Sequence, residues 1–167
     1  AQLAAGRHRE AADLFATGLA IDPSQFDARA DYVRTLVALD RPEEAERAFM
    51  PGADRARNDL RWAALARLVE AALARARAPE VRSTAALRDD VTAAPADPAT
   101  RLRLAQALML DGDWRGAMDE ALALVAIDRR WGDDAGRRLM LACFELCPDG
   151  ALVRDYRRRL SSGLFNA

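Results

Sequence analysis

The chain has 167 residues, of which 51% are hydrophobic and 31% charged, with only 7 Pro and 9 Gly. This balance excludes a disordered or collagen-like chain and fits one domain, or at most two small ones. The net charge of -1 argues against a dedicated nucleic-acid binder, and one His with two Cys leaves almost nothing for a metal site, a disulfide framework or a His-dependent triad. We therefore predict a protein that is not an enzyme and that holds no cofactor or metal.

A short pattern of residues occurs three times along the chain. A turn-forming residue is followed five positions later by Ala, and in two copies Phe follows four positions after that. The first two copies are 34 residues apart, the period of a tetratricopeptide repeat. The turn residues are Gly6, Asp40 and Gly112, the Ala residues are Ala11, Ala45 and Ala117, and the aromatic residues are Phe15 and Phe49. The Ala position lets two antiparallel helices approach closely, and we expect the turn residue to adopt a left-handed backbone.

The spacing predicts a degenerate repeat in the middle of the chain. Asp40 and Gly112 are 72 residues apart, two periods of 34 plus 4, so a third repeat with a short insertion fits between them. A long helix is predicted from Asn58 to Arg77. Its apolar residues recur at helical spacing: Leu60, Ala64, Leu65, Leu68, Ala72 and Leu73.

Two further helices are predicted at the carboxy-terminal end. The first spans residues 131–147 and is rich in apolar residues. A turn over residues 148–150 leads into a last helix. Its apolar stripe consists of Val153, Tyr156, Leu160 and Leu164, at spacings of three and four.

These elements predict an all-α fold, a superhelix of about four tetratricopeptide-like helical hairpins with a capping helix at the end. A generic Ala-rich helical bundle is the alternative. The expected division within one domain is truncated and complete repeats over 1–50, a degenerate repeat over 51–97, a repeat over 98–130 and a helical pair over 131–167. The first repeat lacks most of its first helix, so we expect a carboxy-terminal fragment whose exposed half-repeat is a candidate homodimer contact.

The carboxy-terminal third resembles a known family. The run LAQALMLDGDWRGAMDEALALVAIDRRWGDDAGRRLMLACFEL from Leu104, closing with LVRDYRRRLSSGLF, resembles the bacterial co-chaperedoxins, thioredoxin-fold proteins fused to tetratricopeptide repeats. The most specific stretches are residues 128–131, 133–135 and 156–161, with Arg137. Cys147 and Pro148 depart from the family, which often places a helix-ending Gly there.

The resemblance implies a cytoplasmic co-chaperone. Family members hold unfolding clients under oxidative stress and pass them to the chaperonin GroEL or to the DnaK system. The thioredoxin-like half carries the redox chemistry and is absent from this chain, whereas the last helix is implicated in chaperonin docking. Carried over, the partner-binding residues would be Arg154, Tyr156, Arg157, Arg158, Arg159, Leu160, Leu164 and Phe165. No membrane or nucleic-acid partner is expected.

A groove lined by the first helix of each pair is the second candidate site. By register its residues are Asp27, Ala30, Arg34 and Val37 in one repeat, and Ala99, Leu102, Gln106 and Met109 in another. The Lys and Asn residues of a carboxylate clamp are missing from these positions. A mixed apolar and polar groove suits loose binding of unfolded segments or packing against another domain. A generic adaptor that binds one defined peptide therefore stays open as the alternative function.

The remaining reactive residues favour structural roles. Cys143 and Cys147, four apart on one helix, are expected to be core or near-core thiols, with redox sensing as the alternative. His8 is expected at the surface. The Arg residues of the last helix are expected on a solvated face, with docking of an acidic partner as the alternative.

Overall fold

A computed structural model describes the backbone of residues 2–78, 80 and 82–165, and the side chains of 6–78, 80 and 82–162. Over these residues every regular element is a helix and no strand is present, so the predicted all-α fold of helical hairpins is confirmed. The chain divides into two compact units, residues 1–78 and 79–167. This boundary falls inside the predicted degenerate repeat over 51–97.

Unit 1 is built around a buried Trp. Its helices are α1 (Gln2–Ile21), α2 (Phe26–Ala38), α3 (Pro42–Phe49) and α4 (Leu60–Arg77), with a 3₁₀ segment (Met50–Arg57) before α4. α2 packs against α1, α3 and α4. Trp62 of α4 is 2% exposed, and its ring lies 6.1 Å from that of Phe26 and 5.5 Å from that of Phe49. The predicted long helix is thus confirmed, although Leu60 in its apolar series is 65% exposed.

Unit 2 contains five helices in its described part. Its helices are α5 (Thr84–Ala93), α6 (Pro98–Leu110), α7 (Trp114–Ile127), α8 (Trp131–Leu146) and α9 (Gly150–Phe165). α6 packs against α5, α7 and α8, and α7 also contacts α9. The predicted stripe of α9 is buried at Val153, Tyr156 and Leu160, whereas the side chain of Leu164 lies outside the described residues.

Two of the three predicted turns have the expected backbone. Asp40 has φ 56° and Gly112 has φ 76°, both left-handed. The amide after each turn residue returns to the preceding helix, Arg41 N to Leu36 O at 3.0 Å in one copy and the equivalent bond at 2.9 Å in the other. The turn predicted at Gly6 is wrong, because α1 runs through it. One Gly costs about 1 kcal/mol within a helix, which the Ala-rich flanks can offset.

The two units repeat one another at an offset of 72 residues. α2 and α6 have the same length at this offset, and a buried or half-buried Arg occupies the same place in each. Arg29 donates from Nη2 to the carbonyl of Pro23 at 2.9 Å, and Arg101 donates to the equivalent carbonyl of Pro95 at 2.8 Å. Each guanidinium therefore satisfies a carbonyl in the turn before its own helix.

The start of α8 departs from a regular helix. Gly132, Asp133 and Asp134 all have left-handed φ between 57° and 58°. Arg138 holds this turn from one side, since its Nη1 lies 2.6 Å from Asp133 Oδ2 and its Nη2 lies 2.7 Å from Gly132 O. The right-handed part of the predicted helix consequently begins only at Ala135. None of the described helices combines the length and the apolar composition that a membrane span requires.

Candidate functional site

The last helix begins at a capped turn and presents one apolar face to α7. The carboxylate of Asp149 accepts hydrogen bonds from the amides of Ala151 and Leu152, at 2.9 and 3.0 Å, as an N-cap does. Val153 and Leu160 are 7% and 6% exposed. The helix is therefore held by burial along one side, and its opposite side is free to meet solvent.

Tyr156 is the central contact of that buried face. It is fully buried, and its hydroxyl donates to Oδ1 of Asp119 on α7 at 2.5 Å. Burial, and then this hydrogen bond, raise the pKa of Tyr156 to about 12. The guanidinium of Arg159 lies 4.7 Å from the centre of the same ring. Tyr156 therefore belongs to the attachment of α9 rather than to its outer surface.

The exposed side of α9 is lined by Arg side chains, most of which already have acidic neighbours. Arg158 lies 3.1 Å from Asp155, and Arg159 lies 2.9 Å from the other oxygen of that carboxylate. Arg157 approaches Glu145 of α8 at 3.9 Å. Arg154 is exposed and has no ion pair within the described part of the chain. These ion pairs are solvent-exposed and weak, so a carboxylate on a partner can compete for the Arg residues.

The predicted partner-binding residues thus fall into three groups. Four are exposed: Arg154, Arg157, Arg158 and Arg159. Tyr156 and Leu160 are buried against the rest of unit 2, because the apolar stripe of a surface helix turns toward its neighbours. The side chains of Leu164 and Phe165 lie outside the described residues.

The predicted groove residues do not share one exposed face. Exposed or half-buried are Asp27, Arg34, Ala99, Leu102 and Gln106, whereas Ala30, Val37 and Met109 are buried. The buried three lie at the edge of the stripe that packs against neighbouring helices. The exposed residues instead form, with their neighbours, a separate solvent stripe on α2 and on α6.

The sequence pattern does not predict an ion-pair network that lies on α2. Arg61 of α4 lies 3.1 Å from Asp27 Oδ1 and 2.7 Å from Asp31 Oδ1. The two carboxylates are one helical turn apart, so one guanidinium can reach both. The spacing of the acids along α2 was visible in the sequence, but their partner is 30 residues away and no local pattern indicates it.

The two Cys side chains and His8 have the burial that the sequence predicts. Cys143 is fully buried and Cys147 is half-buried, and both are free thiols. Burial raises the pKa of the Cys143 thiol to about 12, which keeps it protonated and a poor nucleophile. His8 is exposed, on α1. Within the described ranges no three His, Cys, Asp or Glu side chains are grouped as a metal site would need.

Comparison with known proteins gives a family. A tetratricopeptide repeat model matches residues 74–165, more than half of the chain, and a second tetratricopeptide repeat model matches residues 2–69. No curated protein and no solved structure matches the chain. Tetratricopeptide repeats are protein–protein interaction modules that stack short helical hairpins. The matched models, the paired helices and the left-handed turns agree, and the chain belongs to the tetratricopeptide repeat family.

Proposed function

We propose that the chain is the non-catalytic interaction part of a thioredoxin-linked co-chaperone, which holds unfolded clients and hands them to GroEL or to the DnaK system in the cytoplasm. The resemblance of residues 104–165 to the co-chaperedoxins supports this, as does the family. The observation that carries the proposal is the two-sided character of α9. Tyr156 and Leu160 fix the helix from inside, so Arg154 and Arg158 stand in solvent on a stable support.

The proposed docking surface therefore consists of the exposed Arg residues of α9 rather than its whole length. Arg154 and Arg158 are four residues apart and lie on one side of the helix. An acidic partner surface would meet both. Such charged contacts act mainly on association rate and specificity, and they weaken as salt concentration rises.

The test is capture of GroEL by the chain and by a double variant, Arg154→Glu with Arg158→Glu. We expect the variant to lose capture while it keeps its helical circular dichroism, because both side chains are exposed. Arg47→Glu, an exposed Arg on α3, is the matched control and should capture GroEL normally. Deletion of residues 149–167 is less informative, since it also removes Tyr156 from Asp119. Equal capture by the double variant would contradict the docking surface.

Client holding has its own test, which separates the co-chaperone from an adaptor. A co-chaperone should suppress aggregation of several unrelated heat-denatured proteins. An adaptor for one defined peptide should suppress none of them. Failure of the chain to protect any client would favour the adaptor.

Self-association through α1 is proposed as a property of this chain. Leu14 and Ile21, seven residues apart on α1, are 74% and 82% exposed. Two large apolar side chains on one helix face favour contact with a second apolar surface. We expect sedimentation velocity to show dimers that Leu14→Glu abolishes. A monomer at all concentrations would contradict this.

A further inference from the structure

The first turn of α8 has the opposite hand to the first turn of three equivalent helices. Phe26, Leu60 and Pro98 lie 106, 72 and 34 residues before Gly132, and they are the first residues of α2, α4 and α6. Those helices are right-handed from their first residue on. Residues 132–134 instead have φ between 57° and 58°. The repeat framework therefore predicts a right-handed turn where the structure has a left-handed one.

A right-handed first turn of α8 would lack the cap that two of the other helices have. The residue before α4 is Asp59 and the residue before α6 is Asp97, and each carboxylate accepts hydrogen bonds from two amides of its helix. The equivalent residue of α8 is Trp131, whose side chain cannot accept such a bond. The right-handed form is consequently less favoured in α8 than in α4 and α6.

The left-handed form is strained and depends on Arg138. Asp133 and Asp134 carry a Cβ, which crowds the following carbonyl oxygen at positive φ. Arg138 offsets part of this strain, because its Nη1 lies 2.6 Å from Asp133 Oδ2 and its Nη2 lies 2.7 Å from Gly132 O. The side chain of Asp133 is 91% exposed, so solvent and ions weaken this contact.

The same residues have the spacing of ion pairs on a right-handed helix. Asp133 precedes Arg137 by four residues, and Asp134 precedes Arg138 by four. An acid four residues before a base is the favourable order, and acids in the first turn also suit the positive end of a helix. In the structure Arg137 is exposed and has no ion pair among the described residues. A right-handed turn would therefore exchange the Arg138 contact for two ion pairs.

We propose that residues 131–134 are a two-state switch, left-handed or right-handed, and that a partner's carboxylate bound at Arg137 selects the left-handed state. In the right-handed state Asp133 occupies Arg137. In the left-handed state Arg138 holds Asp133, and Arg137 is available to a partner. An acidic partner therefore binds the left-handed state more tightly, and this difference in affinity shifts the population.

The switch would move the surface segment that precedes it. Arg129 and Arg130 are exposed and Trp131 is half-buried. They connect α7 to the turn, whereas Leu139 and Met140 keep the body of α8 buried. A change of hand thus redirects two basic side chains without unpacking α8. This inference stands apart from the co-chaperone role, because it uses no residue of α9.

Nuclear magnetic resonance tests whether both states exist. The intraresidue NOE between Hα and the amide proton is strong at positive φ and weak in a right-handed helix, so it reports the hand of Asp133 and Asp134. Arg138→Ala should raise the ratio of right-handed to left-handed molecules by about tenfold, or about 1.4 kcal/mol. Arg137→Ala is the matched control, and its turn should stay left-handed. An unchanged hand in Arg138→Ala, or the same shift in both variants, would overturn the proposal.

A second variant reaches the same state without touching Arg138. Gly132→Ala places a Cβ at positive φ, where it would lie 3.2 Å from the Cβ of Ala135. The left-handed form should lose population, and the NOE at Asp133 should weaken. Circular dichroism verifies that the variant is folded. A folded Gly132→Ala that keeps the left-handed NOE in full would show that the turn has one state only.

The choice of state by an acidic partner is tested in Gly132→Ala, where both hands should be populated. A short all-Glu peptide should return the turn toward the left-handed form, and an all-Gln peptide of the same length should not. The double variant Gly132→Ala with Arg137→Ala should not respond to either peptide. No shift with the all-Glu peptide, or an equal shift in the double variant, would overturn the role of Arg137.

Discussion

At the scale of single residues, the backbone at Gly52 packs directly against the side chain of Trp62 in unit 1. Gly52 in the 3₁₀ segment lies so near Trp62 that a Cβ there would come within 2.3 Å of the indole ring. Trp62 is itself fixed between Phe26 and Phe49. The ring cannot move aside without disturbing the core of unit 1. The sequence alone does not show that position 52 requires Gly, because a Cβ added at several other Gly residues of the chain would face open space.

Gly52→Ala is expected to lower the free energy of unfolding of unit 1 by about 1–3 kcal/mol, because the added methyl overpacks the site. Gly18→Ala is the matched control: Gly18 lies in α1 with nothing near its missing Cβ. It should stabilise the chain by about 0.5–1 kcal/mol through helix propensity. Urea unfolding followed by Trp fluorescence measures both. A neutral Gly52→Ala would show that Trp62 can shift freely.

Arg29 of α2 and Arg101 of α6 occupy equivalent positions, and each guanidinium has a different second hydrogen-bond acceptor. Arg29 is 8% exposed and uses the carbonyl of Ala48 as its second acceptor, at 3.3 Å. The equivalent of Ala48 is Glu120, whose carboxylate lies 2.5 Å from Arg101. Arg29 is near the carboxy-terminal end of α3, where the helix dipole favours a positive charge.

Glu120→Ala is expected to cost unit 2 about 1–3 kcal/mol, since it leaves Arg101, only 14% exposed, without its carboxylate. Glu145→Ala is a fitting control, because its ion pair with Arg157 is long and exposed and should be worth less than about 1 kcal/mol. Denaturant unfolding of both variants provides the measurement. Equal costs would mean that the carbonyl of residue 120 replaces the lost carboxylate, as that of Ala48 serves Arg29.

At the scale of elements, the helical hairpins depend on a left-handed residue between their two helices. Gly112 supplies it without steric cost, whereas Asp40 accepts the cost of a Cβ at positive φ. Asp40 also lies 3.1 Å from Arg75 of α4, a contact that Gly cannot make. The two copies therefore form the same left-handed turn with different residues and different contacts.

Gly112→Ala is expected to destabilise unit 2 by roughly 1–2 kcal/mol, because Ala must adopt the left-handed region. Asp40→Gly should leave the free energy of unfolding almost unchanged. The substitution relieves the strain of a Cβ at positive φ, and this gain offsets the loss of an exposed ion pair and the added conformational freedom of the unfolded chain. Thermal unfolding by circular dichroism measures both. A cost for Asp40→Gly as large as that for Gly112→Ala would contradict this account of the turns.

At the scale of the whole molecule, the two units differ in how they respond to alkali. Cys143 and Tyr156, whose pKa values are both raised to about 12, belong to unit 2. The ordinary values are 9.0 for the thiol and 10.0 for the phenol. The folded state favours both neutral forms. Their contribution to stability is therefore fully present below about pH 9 and is lost as the pH rises toward 12.

We expect unit 2 to lose stability between pH 9 and 12 while unit 1 stays folded, because neither group belongs to unit 1. A variant with Trp114→Phe and Trp131→Phe keeps Trp62 as the reporter of unit 1. The fluorescence emission of Trp62 should stay constant over the pH range in which circular dichroism shows a partial loss of helix. In the double variant Cys143→Ala with Tyr156→Phe, the stability of unit 2 should fall less at alkaline pH, when it is compared with the stability of the same double variant at pH 7. Simultaneous loss of both signals would contradict independent responses.

Local patterns in the sequence are enough to predict the elements that depend on residue spacing alone. The helical period, the turn residues at Asp40 and Gly112, and the buried stripe of α9 follow from spacing, because backbone geometry fixes which side chains share a face. The family framework follows from the same spacing. The turn predicted at Gly6 fails for a local reason as well, since a Gly among good helix formers is tolerated within a helix.

Tertiary packing sets which helix faces meet one another. It turned Tyr156 inward to Asp119, exposed Leu60 at the start of α4, and set Arg61 across two carboxylates of α2. It also placed Asp133 in a left-handed turn. The partners of these contacts lie on different helices or in an irregular turn, and their meeting depends on how helices cross and on which side chains fill the space between them. A one-dimensional pattern specifies a helix face but not its neighbour.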